Sequence, residues 1–220
     1  YQEVLTDPSY HRQIVVMTAP HIGNTGVNDD DAESHRIWVS GYVVREPSRI
    51  VSNWRAQRTL EEELRRQGVV GIALSGTRAL TRHLRDKGVM RAAISTVETD
   101  PDKLRERVLA SPQMVGANLA GEVTTAEPYT VRPPDGVPVR FTVAAVDLGI
   151  KAMTPQRLAE RGCEVRVLPA HTTAEQILAL NPDGVFFSNG PGDPAAADAV
   201  VETMRGILDA GTPLLGICFG

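Results

Sequence analysis

The sequence predicts an α/β protein with two domains, a mixed α/β domain at residues 1–130 and a parallel-sheet domain at residues 140–220. Short apolar segments alternate with amphipathic segments over residues 142–218, which is the pattern of a parallel sheet with helices on both faces. The preceding part combines strand and helix patterns without this regular alternation. Residues 126–139 contain four prolines and no helical period, so we place the domain boundary there.

The elements of the first domain are predicted from residue preferences and helix-end signals. Thr59 and Glu62 have the spacing of a capping box, and Gly68 supplies the stop at the other end of the same helix. Asp100 and Pro101 are the residues expected at the N-cap and first turn of a later helix. The predicted strands are 14–18, 37–44 and 69–73, and the predicted helices are 59–67, 77–87 and one that begins at residue 101.

The second domain follows a strand–helix repeat. Parallel neighbours need a crossover, and crossover helices cover the sheet, so short apolar strands between helices favour a parallel sheet. The last helix supports this because its apolar residues form one stripe, namely Val200, Val201, Met204, Ile207 and Leu208. The predicted strands are 142–146, 164–168, 184–187 and 213–218, and the predicted helices are 155–161, 174–180 and 196–210.

Composition argues against several classes of function. Lys and Arg number 23 against 27 Asp and Glu, and the resulting net charge of -4 argues against nucleic acid as a partner. No apolar run is long enough to span a bilayer, and the N-terminus does not resemble a secretory signal. Two cysteines are too few for a disulfide framework, so we expect a cytoplasmic protein. The sequence has no initiator methionine and stops at Gly220 after an apolar run, so we expect it to be part of a longer chain.

Two loops at the carboxyl ends of predicted strands carry unusual residues, and this is the edge of a parallel sheet where ligands bind. In the first, Ser-Asn-Gly-Pro-Gly-Asp-Pro at 188–194, Gly190 and Gly192 allow close approach to a ligand, and Asp193 can accept hydrogen bonds from amides. The second is Gly-Ile-Cys-Phe-Gly at 216–220. Glycines two residues before and after a potential nucleophile, at the end of a strand, are typical of a nucleophile elbow.

Together the loops predict acyl transfer through a thioester. A thiolate at Cys218 that attacks a carbonyl or carboxamide produces an oxyanion, which needs fixed hydrogen-bond donors about 3 Å away. The amide after the nucleophile, that of Phe219, is one expected donor, and the Gly190 amide is the expected second. A helix beginning just after Gly220 would favour the thiolate over the thiol.

Each feature also has a purely structural explanation. A cysteine in an apolar strand is most often an inert buried residue, and a loop rich in glycine and proline is often only a rigid turn. Cys163 lacks flanking glycines, so we expect it to pack in the core. No histidine has the spacing of a catalytic base or a metal ligand, and no metal site is predicted. We expect the acidic run at 29–31 to be a solvated turn, and the cationic segment 77–85 to be either a solvated helix face or a docking surface.

Motifs at 1–3, 5–10, 20–24, 28–30 and 122–125, together with the two loops, resemble those of one known family. This family is the small, glutamine-hydrolysing subunit of carbamoyl phosphate synthetase, and the similarity covers nearly the whole chain. The two loops are shared with other class I glutamine amidotransferases. The N-terminal motifs, among them Leu-Thr-Asp-Pro-Ser-Tyr and Pro-His-Ile-Gly-Asn, are specific to this subunit.

The resemblance implies a flavodoxin-like class I amidotransferase domain that is truncated here after the nucleophile elbow. It implies that Cys218 is the nucleophile that releases ammonia from L-glutamine, and that Gly190 and Phe219 form the oxyanion hole. The implied glutamine-binding residues are Ser9, Gly190, Gly192 and Phe219. No cofactor is expected in this subunit. A large synthetase subunit, in a heterodimer, would receive ammonia through a tunnel and use ATP, magnesium and bicarbonate to make carbamoyl phosphate for arginine and pyrimidine biosynthesis.

The sequence departs from the family pattern in two places. Family members usually have Asp-Thr-Arg where this sequence has Gly76, Thr77 and Arg78, so a strong helix N-cap is replaced by a weaker one. The family's catalytic His and Glu would lie beyond residue 220. Without a base to move protons, we expect residues 1–220 by themselves to be nearly inactive.

Two alternatives stay open on the sequence alone. One is a glutaminase domain that serves another synthetase, such as one making anthranilate or guanylate, although the N-terminal motifs favour carbamoyl phosphate synthesis. The other is a non-catalytic docking subunit in which the cysteine loop is only a packed turn. Labelling of Cys218 by a glutamine-analogue electrophile in the full-length protein distinguishes catalysis from docking.

Overall fold

The computed structural model describes residues 1–220, and the chain folds into two compact units, Tyr1–Gln113 and Met114–Gly220. This division falls earlier than the proline-rich segment 126–139 in which the sequence places the boundary. That segment lies inside the second unit because Tyr129–Val131 pairs with a strand there and Val131 packs on a buried cluster. One of its four prolines directly precedes an edge strand and the other three follow it, so none removes an N–H from the ladder.

The first unit is mixed α/β, as predicted. Three parallel strands form its main sheet in the order β1-β3-β5, and β2 pairs with β4 in a second, two-stranded sheet. Its helices are α1 (Gln2–Thr6), α2 (Leu60–Arg66), α3 (Thr77–Lys87) and α4 (Pro101–Ala110), and Pro8–Tyr10 is a 3-10 helix. Its strands are β1 (Ile14–Val16), β2 (His21–Ile22), β3 (Gly41–Val44), β4 (Glu46–Pro47) and β5 (Val70–Ala73).

The helix-end signals of this unit are confirmed. Thr59 Oγ1 accepts from the Glu62 N–H at 3.1 Å, and the Glu62 carboxylate accepts from the Thr59 N–H at 2.7 Å, which completes the capping box of α2. Gly68 follows that helix with a φ of 68°, and Asp100 caps α4. These signals are correct because they depend only on neighbouring residues.

The predicted strand 37–44 is shorter in the structure, where only Gly41–Val44 pairs in the sheet. The N–H of Trp38 donates to the carbonyl of Leu5 at 2.9 Å, and the N–H of Ser40 donates to Gln13 at 2.8 Å. These bonds hold the first half of the segment against other parts of the unit. The β-branched composition marks the segment as extended, but pairing decides which residues join the sheet.

The second unit contains a five-stranded sheet in the order β10-β9-β7-β8-β6. All neighbours are parallel except β6 and β8, which confirms the predicted parallel sheet. The strands are β6 (Tyr129–Val131), β7 (Phe141–Asp147), β8 (Cys163–Pro169), β9 (Gly184–Phe187) and β10 (Leu214–Gly216). The helices are α5 (Ala120–Val123), α6 (Met153–Ala159), α7 (Ala174–Leu178) and α8 (Asp198–Asp209), and Pro194–Ala196 is a 3-10 helix.

Both faces of this sheet are covered. Ala144 and Val146 of β7 belong to one buried cluster, which includes Ile207 of α8, and the intervening Ala145 belongs to another. The α8 stripe is narrower than predicted. Val200 and Ile207 are buried, whereas the flanking apolar residues Val201 and Leu208 are exposed because they lie about 100° round the helix from the buried face. None of the helices in the chain has the length and apolar content needed to cross a membrane.

Glu63 on α2 is a buried carboxylate with several cationic neighbours. It accepts hydrogen bonds from Arg58 at 2.8 Å, from Arg66 at 2.7 Å and from the Gln67 amide. Burial by itself would raise the pKa of Glu63, but these hydrogen bonds outweigh burial and hold its pKa at about 2. The ionised side chain therefore stabilises the folded first unit.

We expect the free energy of unfolding to fall as the pH drops from about 4.5 towards 2. A folded-state pKa below the unfolded value contributes stability that is present above pH 4.5 and is lost as the pH falls through 2. Glu63→Gln should lower the stability at pH 7 by roughly 2–3 kcal/mol and flatten this acid dependence. Urea unfolding at a series of pH values, followed by Trp38 fluorescence, measures this dependence of stability on pH. Glu61→Gln, an exposed position on the same helix, should leave the profile unchanged, and equal profiles for Glu63→Gln and the unsubstituted protein would contradict the role of Glu63.

Candidate active site

Cys218 lies in the turn that follows β10, at the edge of the sheet where the parallel strands end. The predicted strand 213–218 ends at Gly216, so the cysteine belongs to the turn rather than to the strand. Its φ is 57°, in the left-handed region that side chains rarely adopt, and the residue is exposed. This is the backbone geometry predicted for a nucleophile elbow.

The two glycines of the turn are required by space. A Cβ on Gly216 would collide with the carbonyl of Gly220, and a Cβ on Gly220 would collide with the carbonyl of Phe187. The turn is fastened to β9 and the loop after it, because the Ile217 N–H donates to Phe187 O and the Gly220 N–H donates to Ser188 O, both at 3.1 Å. The backbone therefore fixes the direction in which the Cys218 side chain leaves the sheet.

The loop after β9 is held by buried polar side chains. Ser188 is fully buried, and its Oγ accepts from the Leu148 N–H at 2.9 Å and donates to the carbonyl of Asn189 at 2.8 Å. The Asn189 Nδ2 donates to the carbonyl of Gly149 at 2.8 Å. These bonds tie the loop after β9 to the loop after β7, which is the neighbouring strand on the other side.

Gly190 lies where these two loops approach most closely. A Cβ at this position would collide with the carbonyl oxygen of Leu148. Gly149, with a φ of 126°, faces it, and a Cβ there would lie 3.1 Å from the Gly190 Cα. The loop after β9 can therefore take this path only with glycine at position 190.

The amides of Gly190 and Phe219 suit the predicted oxyanion hole, since no backbone carbonyl of the chain accepts a hydrogen bond from either. The ring of Phe219 packs against the buried cluster under the sheet, which holds the residue after the nucleophile in place. The roles of Cys218, Gly190 and Phe219 in catalysis stay predictions.

Gly192 and Asp193 fix the far end of the same loop. Gly192 has a φ of 100° and forms a bridge with Asn118, and a Cβ on it would lie 2.5 Å from a carbonyl oxygen. The Asp193 carboxylate accepts from the N–H groups of Gly116 at 2.8 Å and Ala195 at 3.0 Å, as expected from the sequence. These bonds lower the pKa of Asp193.

Asp147, at the carboxyl end of β7, is the site residue that sequence reasoning missed. Its carboxylate is buried and accepts from the N–H groups of Thr125 at 2.7 Å, Gly149 at 2.8 Å and Ile150 at 2.7 Å. Burial raises the pKa of Asp147, and the three N–H groups oppose that rise. The available signal was an acidic residue at the end of an apolar strand, directly before Leu-Gly-Ile.

Ser9, the remaining predicted glutamine-binding residue, belongs to the first unit and is positioned there by local hydrogen bonds. Its N–H donates to Asp7 Oδ1 at 2.8 Å, and its carbonyl accepts from Gln13 Nε2 at 2.9 Å. Gly190, Gly192, Cys218 and Phe219 all belong to the second unit, where they lie at one edge of the sheet.

The remaining cysteine, the acidic run and the histidine of the second unit, for which the sequence predicts no catalytic role, lie in surroundings that agree with structural roles. Cys163 is half-buried against an apolar cluster, as expected for core packing. In the acidic run, Asp29 pairs with Arg58, and Asp31 pairs with Arg55 at 2.7 Å.

His171 is the histidine of the second unit. It follows β8, which is three strand positions, or roughly 14 Å, from β10. It is therefore too far from Cys218 to act as its base.

Comparisons with known proteins agree with the resemblance seen in the sequence. Residues 1–94 match the family model described as carbamoyl-phosphate synthase small chain, CPSase domain, and residues 144–220 match that of glutamine amidotransferase class-I. The chain is similar over its whole length to proteins named carbamoyl phosphate synthase small chain, with 66% identity in Streptomyces avermitilis, 62% in Mycobacterium tuberculosis and 55% in Bifidobacterium longum. It spans 58%, 60% and 57% of these relatives, respectively.

We expect Gly190→Ala to lower the free energy of unfolding of the second unit by roughly 1–3 kcal/mol, because the new methyl group overpacks the crossing of the two loops. Gly121→Ala is the matched control. Gly121 lies inside α5 with open space at its Cβ position, so alanine there should be neutral or stabilising by about 0.5–1 kcal/mol. Thermal unfolding followed by circular dichroism compares the two variants, and equal stability would contradict the close approach at Gly190.

Proposed function

Because the chain belongs to the carbamoyl phosphate synthase small-chain family and carries a class I glutamine amidotransferase domain, we propose that the protein containing it hydrolyses glutamine at Cys218 and supplies ammonia for carbamoyl phosphate synthesis. The observation that carries this proposal is the turn at Cys218. The cysteine has a positive φ, its flanking glycines are required by close backbone contacts, and it is exposed at the carboxyl edge of a parallel sheet.

The proposed reaction proceeds through a thioester. The Cys218 thiolate attacks the side-chain carboxamide carbon of glutamine, and the negative charge that develops on the oxygen is stabilised by the N–H groups of Gly190 and Phe219. The C–N bond then breaks, and the nitrogen takes a proton and leaves as ammonia. Water attacks the remaining thioester, which releases glutamate and restores the thiol.

Proton transfer in this sequence needs a base and acid beside the sulfur. Within the second unit, His171 is three strand positions away from β10, so it does not serve. We place the base in the part of the full-length protein that lies outside residues 1–220, where the family pattern has its catalytic His and Glu. Ser9 and Gly192 are proposed to bind the substrate rather than to react with it.

The proposed partner is a large synthetase subunit, forming a heterodimer in the cytoplasm. This subunit would receive the ammonia and would hold the ATP and magnesium, so no cofactor is proposed for the small chain. The product would enter arginine and pyrimidine biosynthesis. The match of residues 1–94 to the small-chain CPSase domain supports this synthetase over those that make anthranilate or guanylate.

We expect Cys218→Ser to abolish glutamine hydrolysis by the full-length protein, lowering kcat by at least about 10⁴-fold, since the hydroxyl is a far weaker nucleophile at neutral pH. A glutamine-analogue diazoketone should label Cys218 and no other residue, as measured by peptide mass spectrometry. Cys163→Ser is the matched control and should retain activity and labelling, because Cys163 packs against an apolar cluster. Hydrolysis that survives Cys218→Ser would contradict the proposal, and a full-length protein that is neither active nor labelled would favour the non-catalytic docking subunit.

We expect residues 1–220 alone to hydrolyse glutamine at least about 100-fold more slowly than the full-length protein, because the histidine of the second unit, His171, follows a strand three positions away from β10. Ammonia release measured for both proteins at equal concentration tests this. Robust hydrolysis by the shorter chain, abolished by Cys218→Ser, would show that a base within residues 1–220 reaches the site.

A further inference from the structure

The helix α3 carries a surface that the proposed chemistry does not use. Arg78, Arg82 and Arg85, which we call the arginine stripe, are spaced by four and three residues and so lie on one side of the helix. All three are exposed. The side through which the helix packs contains Thr77, which is buried, and Leu80, which is half-buried. The stripe therefore faces solvent while the helix packs through its other side.

The charge of the stripe is largely unneutralised. Arg85 lies 3.6 Å from Asp86, an exposed pair of little energetic value, and no salt bridge includes Arg78 or Arg82. The helix has four cationic side chains and one carboxylate, although the chain as a whole has a net charge of -4. The positive charge is thus a local feature of α3.

The N-terminal part of this arrangement works against the helix itself. Gly76 occupies the N-cap without a side-chain hydrogen bond, and the first turn contains Arg78 but no acidic residue. A cation near a helix N-terminus opposes the macrodipole, and arginines spaced three or four residues apart repel one another. Arg85 lies in the last turn, where a cation is favourable, but helix stability does not explain Arg78 and Arg82.

Apolar residues are exposed in the segments that lead into and out of α3. Ile72 of β5 and Leu74 come before the helix, and Val89, which is 94% exposed, follows it directly after Gly88. Arginine is enriched at protein interfaces, and exposed apolar residues beside polar ones mark surfaces that bind a partner. A nucleic-acid backbone would leave these apolar residues against phosphates, so a protein partner is favoured.

We infer that the arginine stripe, together with the exposed apolar residues of the segments that adjoin α3, is the surface on which an acidic face of the large synthetase subunit docks. The inference rests on the proposed function, which supplies the partner, and adds the location and chemistry of the contact. The partner's carboxylates pair with Arg78, Arg82 and Arg85, and its apolar groups cover Ile72, Leu74 and Val89.

Arg78→Glu separates docking from folding because the two effects have opposite signs. Glutamate in the first turn interacts favourably with the helix macrodipole and can pair with Arg82 four residues later, so the variant should unfold at an equal or higher temperature than the unsubstituted protein. Its affinity for the large subunit should nevertheless fall by about 10-fold, and that of the triple variant Arg78→Glu, Arg82→Glu, Arg85→Glu by at least about 100-fold. A purely structural role would change stability and affinity in the same direction.

The experiment uses the full-length small chain and the large subunit of the same organism, with Kd measured by isothermal titration calorimetry between 50 and roughly 300 mM salt. Arg105→Glu on α4, also an exposed helical arginine of the first unit, is the control and should change Kd less than about twofold. The affinity of the unsubstituted protein should weaken with salt, and that of the triple variant should depend on salt much less.

Unchanged affinity in the triple variant would overturn the inference, as would an equal loss for Arg105→Glu, which would indicate general charge attraction. Tight binding of single-stranded RNA that is lost in the triple variant would also overturn it. Glutamine hydrolysis without the large subunit should be the same in Arg78→Glu and the unsubstituted protein. If the unsubstituted protein hydrolyses glutamine and the triple variant binds the large subunit equally well, only the inference is overturned. If the unsubstituted protein neither hydrolyses glutamine nor binds the large subunit, the proposed function is overturned as well.

Discussion

The site depends on backbone segments that approach so closely that only glycine fits between them. Gly216 and Gly220 meet within the turn, Gly220 lies against the carbonyl of Phe187, and Gly190 lies against that of Leu148. A positive φ at a residue with a side chain costs on the order of 1–3 kcal/mol, so Cys218 keeps it only while its surroundings hold the turn. The hydrogen bonds from Ile217 and Gly220 to β9 and the loop after it supply that restraint.

The order of the strands brings these loops together. Because β9 lies between β10 and β7 and all three are parallel, the loops that follow them leave the same edge of the sheet. The chain buries three polar side chains there, Asp147, Ser188 and Asn189, and each has a hydrogen-bond partner in a neighbouring loop. A buried polar group without a partner costs roughly 1–3 kcal/mol, so the network favours one arrangement of the loops over alternatives.

Features that depend on neighbouring residues were predictable from the sequence, and features that depend on distant residues were not. The capping box at Thr59, the strand Gly184–Phe187 and the helix Thr77–Lys87 have the predicted form. The short helix α5 and the antiparallel strand β6 were missed, because β6 is defined by its pairing with β8 rather than by its own composition. Asp147 was missed partly for the same reason, since one of its three N–H donors is Thr125, 22 residues earlier in the chain, although Gly149 and Ile150 are its near neighbours.

Several helix starts of this chain follow local rules, whereas the two surfaces to which function is assigned depart from them. Thr59 and Thr173 complete capping boxes at the starts of α2 and α7, and Asp100 caps α4. The turn at Cys218, in contrast, places a side chain in the left-handed region. At α3 the first turn is uncapped and cationic. Both departures cost stability and neither improves packing, because the side chains concerned face solvent. The proposed substrate at one surface and the proposed acidic partner at the other account for residues that folding alone would not select.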